Sequence, residues 1–126
     1  MKKILIVIAD YYEDISSSLL KSAQYKLNNF SLKVIKVPGV FEIPVTISKN
    51  IKKYDAFIAL GCVIKGETPH FDFISSASTH AIINLSVESK KPIGNGIITC
   101  LNMKQAKARG KKGEEAAQAI ISVLSQ

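Results

Sequence analysis

The 126-residue chain has no tryptophan, two cysteines, two histidines and only four prolines. Each scarcity excludes something. Cys62 and Cys100 show no Cys-x-x-Cys or zinc-type spacing. A disulfide framework would need more cysteines, so reduced thiols in a cytoplasm are the expectation, with no metal site. Few prolines and 47% hydrophobic residues exclude a disordered chain. No apolar run approaches the roughly 20 residues that span a bilayer. The opening MKKILIVIADYY has the basic-then-apolar order of a secretory leader. Its apolar run, Ile4 to Ala9, is too short, stops at Asp10 and is followed by no small-residue cleavage site, so it reads as a buried first strand.

What the chain has in excess is positive charge. Seventeen Lys and Arg against ten Asp and Glu leave a formal +7. Such a balance suits anionic partners: nucleic acid, a membrane surface or a phosphorylated small molecule. Without a nucleic-acid recognition motif or basic–aromatic interleaving, the first is set aside. The length allows one domain, residues 1–126, that buries about two-thirds of its unfolded surface.

Hydrophobic patterning alternates along the chain. KILIVIA is a continuous β-branched run, as in a strand buried on both faces. Ile15, Leu19, Ala23 and Leu27 then form a helical stripe. SLKVIKV reads as a second strand, and Ile43, Ile47 and Ile51 restore helical spacing. YDAFIALG is a third strand. A longer helix is expected from His70 to about Glu88, with Ile74, Ala77, Ala81 and Leu85 along one side. PIGNGIIT is the fourth strand. Two short helices, Met103 to Arg109 and Glu114 to Leu124, are expected to be broken at Gly110 and Gly113. Strand–helix alternation implies right-handed crossovers and a parallel sheet, hence a flavodoxin-like, three-layer αβα domain with four parallel strands.

Ligands of open α/β sheets bind beyond the carboxyl ends of the strands, and the unusual segments ADYYED, VPGVFEIP, GCVIKGETPH and TCLNMKQ all follow strands. Tyr11 or Tyr12 can stack on a planar ligand or simply pack on its own helix. Glu42, beside Phe41, can accept from hydroxyls or serve as a dipole-favoured helix-start residue. In KGETPH, Gly66 permits close backbone approach and Thr68 adds a hydroxyl at a helix start, where unpaired N–H groups attract anions. The same residues also read as Thr68 capping with Pro69 at the first helical position. His70, next to that turn, suits proton transfer near neutrality, or a structural role. His80, in mid-helix, reads as surface. Cys62, at an apolar strand end, is not expected to act as a nucleophile. Lys104, Lys107, Arg109, Lys111 and Lys112 form either a solvated face or a phosphate clamp.

A phospho-receiver domain of this fold would need an aspartate ending the third strand. That strand ends Leu60-Gly61-Cys62, so the acceptor is missing.

VPGVFEIP, GCVIKGETPHFDF and NGIIT with QAKARG and KKGEEAA, in that order, resemble the lumazine synthase family from Lys3 to about Ile121. The resemblance implies a transferase, 6,7-dimethyl-8-ribityllumazine synthase, in the penultimate step of riboflavin biosynthesis. It would join 5-amino-6-ribitylaminouracil to 3,4-dihydroxy-2-butanone 4-phosphate, releasing phosphate and water without a cofactor. It also implies roles. Tyr11 would stack on the pyrimidine, and Val40, Phe41 and Glu42 would line the ribityl chain. Backbone at Val63 and Ile64 would hold the uracil edge, and Gly66, Glu67 and Thr68 the phosphate. His70 would carry protons. Asn95, Arg109 and Lys112 would come from a neighbouring subunit of a pentamer-based homo-oligomer, with riboflavin synthase as a candidate partner.

Departures from the family pattern are Asp10-Tyr11-Tyr12 for the usual Arg-Phe-Asn, Lys65 for arginine, a shorter stretch between Arg109 and Lys112, and no N-terminal strand extension. They leave a non-catalytic flavin- or lumazine-binding protein on the same scaffold as the alternative.

Overall fold

A computed structural model describes residues 1–126. The strands are β1 (Lys3–Ala9), β2 (Ser31–Val37), β3 (Ala56–Ile64) and β4 (Ile93–Cys100). Between and after them run α1 (Glu13–Lys26), a 3-10 turn at Val40–Glu42, α2 (Ile43–Lys49), α3 (His70–Ser89), α4 (Met103–Lys107) and α5 (Lys112–Leu124). All pairings are parallel and the strand order is β2-β1-β3-β4. The expected flavodoxin-like architecture is what forms. No helix is long and apolar enough to cross a membrane.

The period-two alternation of a strand divides the core between two faces. Ile4, Ile6 and Ile8 face Leu19, Ala23, Ala117 and Ile120 of α1 and α5. Leu5 and Val7, with Phe57 and Ala59 of β3, face Ile43 and Ile47 of α2 and Ile82 of α3. That is why Ile4 to Ala9 carries no polar residue after the exposed Lys3: both faces of β1 are covered.

Two boundaries differ from expectation. β3 continues past Gly61 to Ile64, pairing Gly61 with Ile97 and Ile64 with Cys100. Gly61 is therefore a packing glycine inside the strand, not its end. A Cβ there would lie 2.8 Å from Val40 Cγ2 and 3.3 Å from Ala9 Cβ. Gly113 does not break the last helix; it sits in the first turn of α5, pressed on the Leu19 carbonyl, where no side chain fits. The start of α3 at His70 is as expected, with Pro69 as the capping residue where the cap reading has Thr68. Thr68 still satisfies a helix-start donor, since its Oγ1 accepts the His70 N–H at 3.4 Å.

On α3 the buried positions are Ser78 and Ile82, flanked by half-buried Ile74 and Leu85, whereas Ala77 is exposed. Phe73, Ile83 and Val87 are also exposed. Apolar and polar residues are mixed around this helix and give no unique stripe, so its phase differs from expectation by about one residue.

Candidate active site

Beyond the carboxyl ends of β1 and β3, a cleft of about 650 Å³ is lined by Tyr11, Tyr12, Gly39, Val40, Phe41, Glu42, Cys62, Val63, Ile64, His70 and Ile74. Its contributors come from four separate stretches of chain. Each is delivered by a strand end: β1 leads to the tyrosines, β2 to the 39–42 turn, and β3 to Val63, Ile64 and the turn before His70.

Local chemistry shapes each wall. Gly39 is extended and its space is used by Glu42, whose Oε1 would stand 3.1 Å from a Cβ placed there. The Glu42 carbonyl accepts from Thr46 Oγ1 at 2.9 Å, tying the turn to α2. Tyr11 projects outward, 75% exposed, while Tyr12 is half-buried against the α1–α5 core. Their rings meet edge to face, centroids 4.9 Å apart at 82°. Burial raises the Tyr12 phenol above its ordinary range, with Cys62 and Tyr11 adding to the effect.

Cys62 is buried at the cleft floor. Burial pushes its thiol up to about 12, helped by the neighbouring Cys100 thiol. It is a neutral wall group near pH 7, as its apolar strand position suggested, and no nucleophile.

Gly66, Glu67 and Thr68 lie on the exposed turn between Ile64 and His70, outside the cleft lining but continuous with it. Nothing lies within 4 Å of where a Gly66 Cβ would stand, so packing within the chain does not require the glycine. The turn leads into the twenty-residue helix α3, whose dipole favours an anion at its amino end, although the His70 N–H donates to Thr68 and those of Asp72 and Phe73 to the Pro69 carbonyl.

Asn95, Arg109 and Lys112 do not join this cleft. With Ile97, Ile98, Thr99, Ala108, Lys111 and Glu115 they line a separate hollow of about 500 Å³ at the outer edge of β4. Asn95 Oδ1 accepts the Ile97 N–H at 3.1 Å. The short stretch from Arg109 to Lys112 is held by Ser22 of α1, whose Oγ donates to the Gly110 carbonyl at 2.9 Å and accepts the Glu114 N–H at 3.1 Å. Arg109 and Lys112 thereby stay in one hollow despite the shortened loop.

Sequence reasoning did not place Gly39, Cys62 or Ile74 in the site, and it left Tyr12 as one of two alternatives. Ile74 had a usable signal, since it stands one helical turn after His70 and so shares its face. Cys62 had none, because only the fold sets its place in the cleft wall.

A parallel sheet of this order, with an apolar cleft over its strand ends holding one carboxylate and one histidine, defines a small-molecule-binding α/β protein. A family model described as 6,7-dimethyl-8-ribityllumazine synthase matches residues 1–126. The protein named 6,7-dimethyl-8-ribityllumazine synthase 1 of Rhodopseudomonas palustris is 43% identical over 136 aligned positions, covering 97% of this chain and 83% of its own. The protein of that name in Agrobacterium fabrum is 41% identical over 96% of this chain and 91% of its own. In Corynebacterium kroppenstedtii the like-named protein is 38% identical, over 97% and 80%. A solved flavodoxin from the domain Archaea superposes over 94% of this chain and 99% of its own, with TM-score 0.41 and 9% identity. The chain belongs to the 6,7-dimethyl-8-ribityllumazine synthase family, transferases of riboflavin biosynthesis.

Proposed function

We propose that this chain condenses 5-amino-6-ribitylaminouracil with 3,4-dihydroxy-2-butanone 4-phosphate to 6,7-dimethyl-8-ribityllumazine, releasing phosphate and two waters. The observation that carries the reading is the joint lining of one cleft by Tyr11, Val40, Phe41, Glu42, Val63, Ile64 and His70. A planar ring stacks on exposed Tyr11. The ribityl chain runs along Val40 and Phe41, its hydroxyls donating to the Glu42 carboxylate. Backbone groups at Val63 and Ile64 hold the uracil edge. The phosphate sits at Gly66, Glu67 and Thr68, at the amino end of α3.

The pyrimidine 5-amine adds to the substrate ketone, and loss of water leaves an imine. Loss of the C3 proton with departure of the C4 phosphate then leaves an enol that tautomerises to a new carbonyl at C3, and attack by the second nitrogen on that carbonyl closes the ring with loss of the second water. Every step needs a proton moved. His70 stands between the phosphate turn and the cleft, placed to give a proton to a departing oxygen and take one from an attacking nitrogen.

Asn95, Arg109 and Lys112 complete the site from a neighbouring copy in a pentamer-based ring. Two observations support this: the hollow holding them is distinct from the cleft, and Phe73, Ile83 and Val87 of α3 present apolar surface outward. Arg109 would clamp the phosphate bidentately and Lys112 would approach the pyrimidine.

The test is a steady-state assay of the purified protein with both substrates, following lumazine optically and phosphate in parallel. Equal amounts of the two products support the synthase. A folded oligomer that binds the ribitylaminouracil yet releases neither product overturns it in favour of a binding protein.

A further inference from the structure

Tyr11 presents an aromatic ring that is mostly in solvent. A ring so exposed is free to rotate about two side-chain torsions, and stacking a substrate on it costs the entropy of fixing them. Tyr12 is different. It lines the same cleft, yet packs half-buried against the α1–α5 core, near Cys62. The two rings meet at 82° with centroids 4.9 Å apart, within the range where edge-to-face aromatic pairs attract beyond their buried area. Tyr12 is thus the aromatic side chain that touches both the core and the exposed ring of Tyr11.

We infer that Tyr12 is a positioning residue for pyrimidine binding: its core-anchored ring holds Tyr11 edge to face, at the angle where a planar heterocycle stacks. The inference deepens the proposed reaction and rests on that reading for its substrate. The ring of Tyr12 carries the effect, and its hydroxyl is dispensable. Binding of the phosphate substrate, at the turn before α3, should not respond, because neither tyrosine is part of that turn.

The experiment compares wild type, Tyr12→Leu and Tyr12→Phe by steady-state kinetics in each substrate and by equilibrium binding of the ribitylaminouracil. Leucine keeps apolar volume against the core, so the variant should fold. Tyr12→Leu is expected to raise KM for the ribitylaminouracil about threefold to tenfold, the worth of one aromatic pair, with kcat and KM for the butanone phosphate within about twofold. The dissociation constant should rise in parallel, and Tyr12→Phe should restore both it and KM. An unchanged pyrimidine KM in Tyr12→Leu overturns the inference. So does a Tyr12→Phe variant as impaired as Tyr12→Leu, which would make the hydroxyl a direct contact. A uniform loss in kcat and both KM values also overturns it, marking Tyr12 as merely structural. If wild type makes no lumazine, the proposed reaction fails by itself. The ring pair is then judged by binding alone, an unchanged dissociation constant in Tyr12→Leu overturning it and a weakened one restored by Tyr12→Phe supporting it.

Discussion

Arg109 donates from a terminal guanidinium nitrogen to the Thr99 carbonyl at 3.4 Å, which holds its cation at the outer edge of β4, away from the cleft of its own chain. So long a bond to a neutral acceptor is weak, and a phosphate offering two charged oxygens would displace it.

Arg109→Ala should therefore raise KM for the butanone phosphate by about tenfold or more while changing KM for the pyrimidine little. An unaltered phosphate KM would exclude the clamp. If the arginine serves a neighbour, co-expressing Arg109→Ala with His70→Ala should recover activity at low phosphate substrate. About a quarter of the interfaces in randomly mixed rings would then pair an intact His70 with an intact Arg109. Mixed oligomers no more active than the average of the two parents would place both residues in one subunit's site.

His70→Ala should lower kcat by about tenfold or more, with both KM values changing much less, because proton transfer is lost while the cleft walls remain. Stopped-flow measurement of phosphate release should show the same slowing. A rate equal to wild type would reduce His70 to a wall residue.

Gly61→Ala should destabilise the fold by about 1–3 kcal/mol, since its new methyl meets Val40 Cγ2 and Ala9 Cβ inside a strand paired on both sides. Urea unfolding would measure it. Adding Val40→Ala should recover part of the loss, because the closest clash is with that side chain. If the double variant is less stable than the sum of the singles, the steric explanation fails.

The buried Cys62 thiol, pushed up to about 12, binds its proton more tightly in the folded state than in the unfolded chain. Its contribution to stability is full below about pH 9. It declines as pH rises toward 12, because there the unfolded chain has lost the proton that the folded chain keeps. In native protein at pH 8, iodoacetamide should modify Cys62 about a thousandfold more slowly than in urea-unfolded protein, by the ratio of thiolate populations. Peptide mass analysis over time would show it, and comparable rates in both states would contradict the burial.

Much of this molecule is readable from local sequence. The β-branched run of β1 and the turn chemistry of Pro38-Gly39 and Thr68-Pro69 each reflect interactions within a few residues. So does the helical spacing of Ile15, Leu19 and Ala23. They announce strands, helices and loops, and motif resemblance names the cleft residues. The phase of α3 was not readable in this way, because a helix with apolar and polar residues mixed around it has no local signal to choose between Ala77 and Ser78.

By itself, then, the sequence determined the order of elements and which loops would carry chemistry, since periodicity and turn preference are short-range effects. Only the tertiary structure decided that Gly61 and Gly113 are there for close packing and that Tyr12 bridges core and cleft. It also decided that Asn95, Arg109 and Lys112 face a hollow of their own. Those outcomes depend on which strands become neighbours and which helices cross them, and such long-range contacts leave no period or turn in the chain to be read.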